Sequence, residues 1–66
     1  MRNTIKVERA KKNITQAELA EILDVSRLTV HSIEAGKFHP SVLTVLKMAR
    51  YFNIPVEELF ILEETD

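Results

Sequence analysis

Thr15-Gln16-Ala17-Glu18-Leu19-Ala20-Glu21-Ile22-Leu23-Asp24-Val25-Ser26-Arg27-Leu28-Thr29-Val30-His31-Ser32-Ile33-Glu34-Ala35-Gly36 is the stretch whose reading decides the fold. Thr15 is an N-cap residue and Glu18 stands three positions later, the spacing of a capping box, in which each side chain satisfies a free backbone amide of the other. Leu19, Ala20 and Leu23 then recur at helical spacing, which predicts a helix over 16–23. Asp24-Val25 is too short for anything but a tight connection, because the Ser26 hydroxyl is already placed to cap a second helix. That helix, over 27–35, turns Val30 and Ile33 inward. It stops at Gly36, the chain's single glycine, where a left-handed residue ends many helices. Its outward face carries Arg27, Leu28, Thr29, His31 and Ser32. Two short helices joined by about three residues are the centre of the fold.

On the N-terminal side, Ile5 to Lys12 contains no Pro or Gly and is expected to be helical, with Ile5, Val7 and Ala10 as a thin apolar stripe. After Gly36, Lys37 to Pro40 form a loop and Ser41 caps a fourth helix. There Val42, Val45, Leu46, Ala49 and Phe52 fall at i, i+3, i+4, i+7 and i+10, the strongest periodic pattern in the chain. Asn53 marks its stop. Pro55 opens a short fifth helix through about Phe60, and Ile61-Leu62 continue toward an acidic end. With 66 residues, one Gly, two Pro and 45% apolar residues, the composition fits an all-α single domain with one core.

Composition also excludes functions. There is no cysteine, so no disulfide, thiolate metal site or cysteine nucleophile. The two histidines, His31 and His39, lie in separate elements, and no Gly-rich phosphate loop is present. Catalysis is not expected, nor is a cofactor, a metal or a small-molecule ligand. No apolar run reaches the roughly 18 residues of a membrane span, and no apolar leader opens the chain, which points to a soluble cytoplasmic protein and no membrane partner. The net charge of −1 conceals a polarity. Residues 1–50 hold all nine basic side chains against five acids, a balance of +4, whereas residues 51–66 carry five acids and no base. Such a molecule can turn one end to phosphates and the other away, although a merely solvated acidic terminus reads the same way.

The runs Ile14-Thr15-Gln16-Ala17-Glu18-Leu19-Ala20, Val25-Ser26-Arg27, Ile33-Glu34-Ala35-Gly36 and Pro40-Ser41 resemble, at their spacing, the lambda-repressor and Cro-type (XRE) helix-turn-helix family. The resemblance covers about residues 5–60, and the length is similar to that of short free-standing members. It implies a five-helix fold, the third helix in the major groove of duplex DNA, and binding as a homodimer to a palindromic operator. It also implies a partly buried structural pair between Arg9 and Glu34, which would remove Arg9 from the DNA-binding charge. Two positions depart from the family pattern. Asp24 stands where glycine is usual in the turn, and Asp tolerates the left-handed region better than most residues. Glu8 replaces a commonly apolar residue of the first helix, with Val7 as the expected substitute.

A helix end fits the major groove and presents its first turns to base edges while the preceding helix touches the backbone. The DNA-binding candidates are therefore Thr15 and Gln16 at the start of the second helix, the five outward residues of the third, and Lys37 and His39 beyond it. Thr15 is mainly a cap, and the Gln16 amide reaches for a phosphate. Arg27 reads as a bidentate partner of guanine or as a phosphate contact, both open. Leu28 meets a thymine methyl or turns toward the core, and His31 contacts DNA or is solvated. For the dimer, three consecutive large apolar residues, Phe60, Ile61 and Leu62, exceed what one helix directs into one core. With Pro55 and Val56 they form the expected interface. Otherwise Phe60 and Leu62 cap the monomer's own core. Ile61 to Glu63 is also a candidate to pair with Arg2 to Thr4 as a small antiparallel ribbon. The alternative function is an antitoxin-type module that sequesters a partner protein.

Overall fold

Asn13-Ile14-Thr15, Asp24-Val25-Ser26 and Asn53-Ile54-Pro55 are three copies of one local device, as the computed structural model, which describes residues 1–66, makes visible. In each, the first residue takes a left-handed backbone, with φ of 56°, 58° and 56°. Asn and Asp are the non-glycine residues that do so most readily. The β-branched residue that follows packs on the core, and the third residue takes the N-cap position of the next helix, with a side-chain cap bond at Thr15 and Ser26 and none at Pro55. Gly36, at φ 76°, ends a further helix in the same way. At all four ends, two amides fold back onto the helix's last carbonyls: Ile14 to Arg9, Val25 to Ala20, Lys37 to Ser32 and Ile54 to Ala49, each with its inner partner bond. These are Schellman motifs, and they satisfy groups that a helix end otherwise leaves open.

The elements so punctuated are β1 (Arg2–Asn3), α1 (Ile5–Lys12), α2 (Gln16–Leu23), α3 (Arg27–Glu34), α4 (Val42–Phe52), α5 (Val56–Leu59) and β2 (Phe60–Ile61). The fold is five helices with a two-stranded antiparallel ribbon in which Arg2 faces Ile61 and Asn3 faces Phe60. The capping box of Thr15 and Glu18 is complete, with the Glu18 amide donating to Thr15 Oγ1 at 3.1 Å and the Thr15 amide to Glu18 Oε1 at 2.9 Å. Ser26 and Ser41 accept from the amides of Thr29 and Thr44. The core is formed by Ile5, Leu19, Ala20, Leu23, Val30, Ile33, Met48, Phe52, Leu59 and Phe60.

Five expectations change. α3 ends at Glu34 and α5 at Leu59, so Phe60 is extended instead of helical. The cause is competition for the carbonyls at the end of α5. The Thr4 amide takes that of Leu59 at 3.0 Å and the Thr4 hydroxyl that of Glu58 at 2.8 Å. The ribbon accordingly starts one residue earlier than expected. In α1, Val7 is 54% exposed and Ala10 is exposed as well. Its inward side is Ile5, Glu8 and Arg9, so Val7 does not stand in for Glu8. Glu8 remains only 12% exposed and accepts from Lys11 Nζ at 3.1 Å.

The largest change is in α4. Val42 and Leu46, read as inward, are 75% and 55% exposed, and Leu43 is exposed beside them. The helix enters the core through Met48 and Phe52, with Val45 and Ala49 half-buried. A helix apolar on most of its circumference has two stripes at helical spacing, and only its neighbours decide which one is buried.

Candidate nucleic-acid interface

α2 and α3 pack against each other across the Asp24–Ser26 turn, burying Leu19, Ala20 and Leu23 of the first with Val30 and Ile33 of the second. With Val30 and Ile33 inward, helical geometry sends Arg27, Leu28 and His31 outward, and all three are exposed. Thr29 and Ser32 are half-buried at the edge of that face. The Thr29 hydroxyl is 2.8 Å from Ser26 Oγ and so belongs to the cap of α3. Arg27 and Lys37 make no ion pair. Their charge stays available on a surface whose helix starts, at Gln16 and Arg27, also present amides with no intrahelical acceptor.

Behind this face sits a charged clamp. Arg9 Nε donates to Glu34 Oε2 at 2.6 Å and Arg9 Nη2 to Glu34 Oε1 at 3.0 Å, a fork-to-fork pair. Arg9 Nη1 donates to the Ile14 carbonyl at 3.0 Å, which ties the pair to the α1–α2 turn. The side chains are 14% and 9% exposed. The carboxylate holds the guanidinium's pKa above its ordinary value, through the hydrogen bonds first and against the penalty of burial. Gln16 Nε2 donates to the same Glu34 Oε1 at 3.3 Å. The clamp thus positions the first side chain of α2, whose amide keeps a second hydrogen for an outside acceptor. From the N-terminal strand, Asn3 Nδ2 donates to the carbonyls of Ile33 and Glu34, at 3.1 and 3.4 Å, and closes the far end of α3.

The structure groups some of the sequence candidates and separates others. Leu28, Thr29, Ser32 and Lys37 share an open cleft of about 320 Å³ with Phe38. Phe38 was not among the sequence candidates, and the signal available was an aromatic in a loop with no helical stripe to join. His39 lies elsewhere, in a groove of about 380 Å³ with Met1, Pro40, Val45, Val56, Phe60, Leu62 and Asp66. Thus Lys37 and His39, two residues apart, serve different surfaces. Of the residues read as a dimer interface, Val56 and Leu62 line that groove, Pro55 is exposed and Ile61 is half-buried. Phe60 is 9% exposed and is a core residue of the monomer, because its extended backbone turns it inward. Further exposed apolar residues are Val42 and Leu46, which the sequence reading placed inward, and Leu43, which it did not use.

Two short capped helices across a tight turn, with the second helix's polar face open and cationic, define a helix-turn-helix DNA-binding domain. A sequence profile described as Helix-turn-helix matches residues 5–59. An uncharacterized HTH-type transcriptional regulator from Methanocaldococcus jannaschii is 42% identical over all of both chains. Another from Archaeoglobus fulgidus is 46% identical over 100% of this chain and 93% of its own. The restriction-modification controller protein C.AhdI from Aeromonas hydrophila superposes with a TM-score of 0.75 at 30% identity, over 85% of each chain. The chain belongs to the XRE-type helix-turn-helix transcriptional regulators, a DNA-binding, non-enzymatic family. No helix is long and apolar enough to cross a membrane.

Proposed function

We propose that this regulator is a cytoplasmic repressor that binds a palindromic operator as a homodimer, with α3 in the major groove. The observation that carries the reading is the molecule's two-sidedness. One surface is the polar face of α3 with Arg27 and Lys37, and a separate surface is the apolar stripe of α4, which no element of the monomer covers. α3 has eight residues, about 12 Å of helix, which spans only a few base pairs. Useful specificity therefore calls for two copies about 34 Å apart along the duplex.

The α4 stripe supports that second copy. Val42 and Leu46 are i, i+4 neighbours on the exposed face of α4, and Val45, at the edge of that face, lines the groove with Val56 and Leu62. Leu62 is 78% exposed. Exposed apolar residues gathered in this way mark self-association more often than solvated surface. Within the operator complex, Arg27 meets guanine, Gln16 and Lys37 meet phosphates, and His31 and Ser32 lie along the groove. Repression follows from occupancy of the site.

Footprinting on the protein's own upstream DNA, with sedimentation of the free protein, tests this reading. Protection of a short two-fold site by a species of twice the chain mass supports it. A monomer at tens of micromolar that binds random and upstream DNA alike refutes it. Co-purification of a second protein chain that abolishes binding would favour the sequestration alternative.

A further inference from the structure

Leu28 and Phe38 present a problem that the fold does not solve. Leu28 is 71% exposed on the first turn of α3 and Phe38 is 51% exposed in the loop after it. Neither reaches the core, which Val30 and Ile33 already fill from this helix. They come together from either end of α3 as the two apolar residues lining one cleft, which Thr29, Ser32 and Lys37 complete. The Thr29 hydroxyl is turned to Ser26, which leaves the methyl end of that side chain and the Ser32 hydroxyl to finish the lining.

The cleft lies on the face that the proposed function turns to DNA, and this inference rests on that reading. Among the groups displayed in the major groove, the one apolar feature is the C5-methyl of thymine; the rest are hydrogen-bond donors and acceptors. An apolar cleft with a lysine in its lining is complementary to a methyl group whose own strand carries a phosphate alongside. We propose that Leu28 and Phe38 together receive a thymine methyl in each half-site, so that Phe38, outside the helix, is a specificity-determining residue with Leu28. The occupant is duplex DNA and not a second copy of the chain, because Lys37 is the one charged residue of the lining and suits a methyl flanked by a phosphate.

The test uses the full chain and a duplex selected by it from a randomised pool. Each thymine of the selected site is replaced in turn by deoxyuridine, which removes the methyl and nothing else. Burying one methyl contributes roughly fourfold in affinity, so one symmetric pair of replacements is expected to weaken the wild type about fourfold per half-site. In Leu28→Ala and in Phe38→Ala the same replacements are expected to have no further effect, while the melting temperatures stay near that of the wild type because both side chains are exposed. No sensitive thymine, or a methyl effect that survives in either variant, overturns the proposal and leaves operator binding intact. A wild type that selects no sequence overturns the proposed function itself. If either variant becomes monomeric while the wild type is dimeric, the cleft is a protein contact and the proposal fails.

Discussion

Glu34→Ala removes one half of a pair that is buried on one side and bonded on the other, and the structure fixes how large the effect should be. Arg9 loses two charge-assisted bonds, at 2.6 and 3.0 Å, and retains the one to the Ile14 carbonyl. Breaking a buried pair by deleting one partner destabilises by about 3–5 kcal/mol, because the other charge is left unpaired. Arg9 is 14% exposed and keeps a carbonyl partner, which places the loss near the lower end, about 3 kcal/mol. For a 66-residue chain whose total stability is of order 3–10 kcal/mol, that is a large share. The midpoint should fall by on the order of 15 °C. Circular-dichroism melting at neutral pH and fixed chain concentration measures it, the concentration being held because association shifts apparent stability. Arg9→Met combined with Glu34→Leu should be less destabilised than either single loss, since no charge is then stranded. A Glu34→Ala midpoint within a few degrees of the wild type would refute the reasoning and return Arg9 to the DNA-facing cations.

Arg27→Ala should reduce operator affinity by about 1–3 kcal/mol if the guanidinium reads a base, and much less on random duplex; equal losses on both would assign it to phosphate. Leu46→Asp, which alters an exposed residue of α4, should convert a sedimenting dimer to a monomer without unfolding it, and a persistent dimer would move the interface elsewhere. Asp24→Ala should cost about 1 kcal/mol because alanine fits the left-handed backbone poorly, while Asp24→Gly should be tolerated; chemical denaturation midpoints compare them. The terminal amine of Met1 lies 2.9 Å from Asp66 and 3.2 Å from Glu63, and its pKa is raised chiefly by the hydrogen bond to Asp66, then by that to Glu63. The Asp66 pKa is lowered first by the Glu63 backbone amide and then by the amine. The amine's share of this contact is present below its ordinary 8.0 and is lost as pH rises through its raised value, whereas the carboxylate's is present above its ordinary 3.8 and is lost as pH falls through its lowered value. The amide signals of Glu63 and Asp66 should report both transitions by NMR, and an absence of either would mean that the contact does not form.

What the sequence determined by itself is whatever depends on near neighbours in the chain. Thr15 with Glu18, Ser26, Ser41 and Gly36 each act within three or four residues, so the boundaries of α2 and the starts of α3 and α4 were legible from residue types alone. The outward face of α3 was legible for the same reason, because Val30 and Ile33 are the only large apolar residues of that helix after its first turn. Tertiary structure decided the rest. In α1 the inward face carries Glu8 and Arg9, which bond to Lys11 and Glu34; the pair with Glu34 was expected from the family resemblance and not from any periodicity. A hydrophobic pattern is blind to such an arrangement. In α4 apolar residues occupy most of the circumference, and the packing of Met48 and Phe52 chose the buried side and left Val42 and Leu46 of the most regular stripe outside. Phe60 could have continued α5, but Thr4, fifty-six residues earlier in the chain, took the carbonyls and turned it into a strand. Phe38 and Leu28, unremarkable ten residues apart, become one cleft only when α3 is folded between them. Contacts across such separations are chosen by the global packing of the chain, and no local preference encodes them.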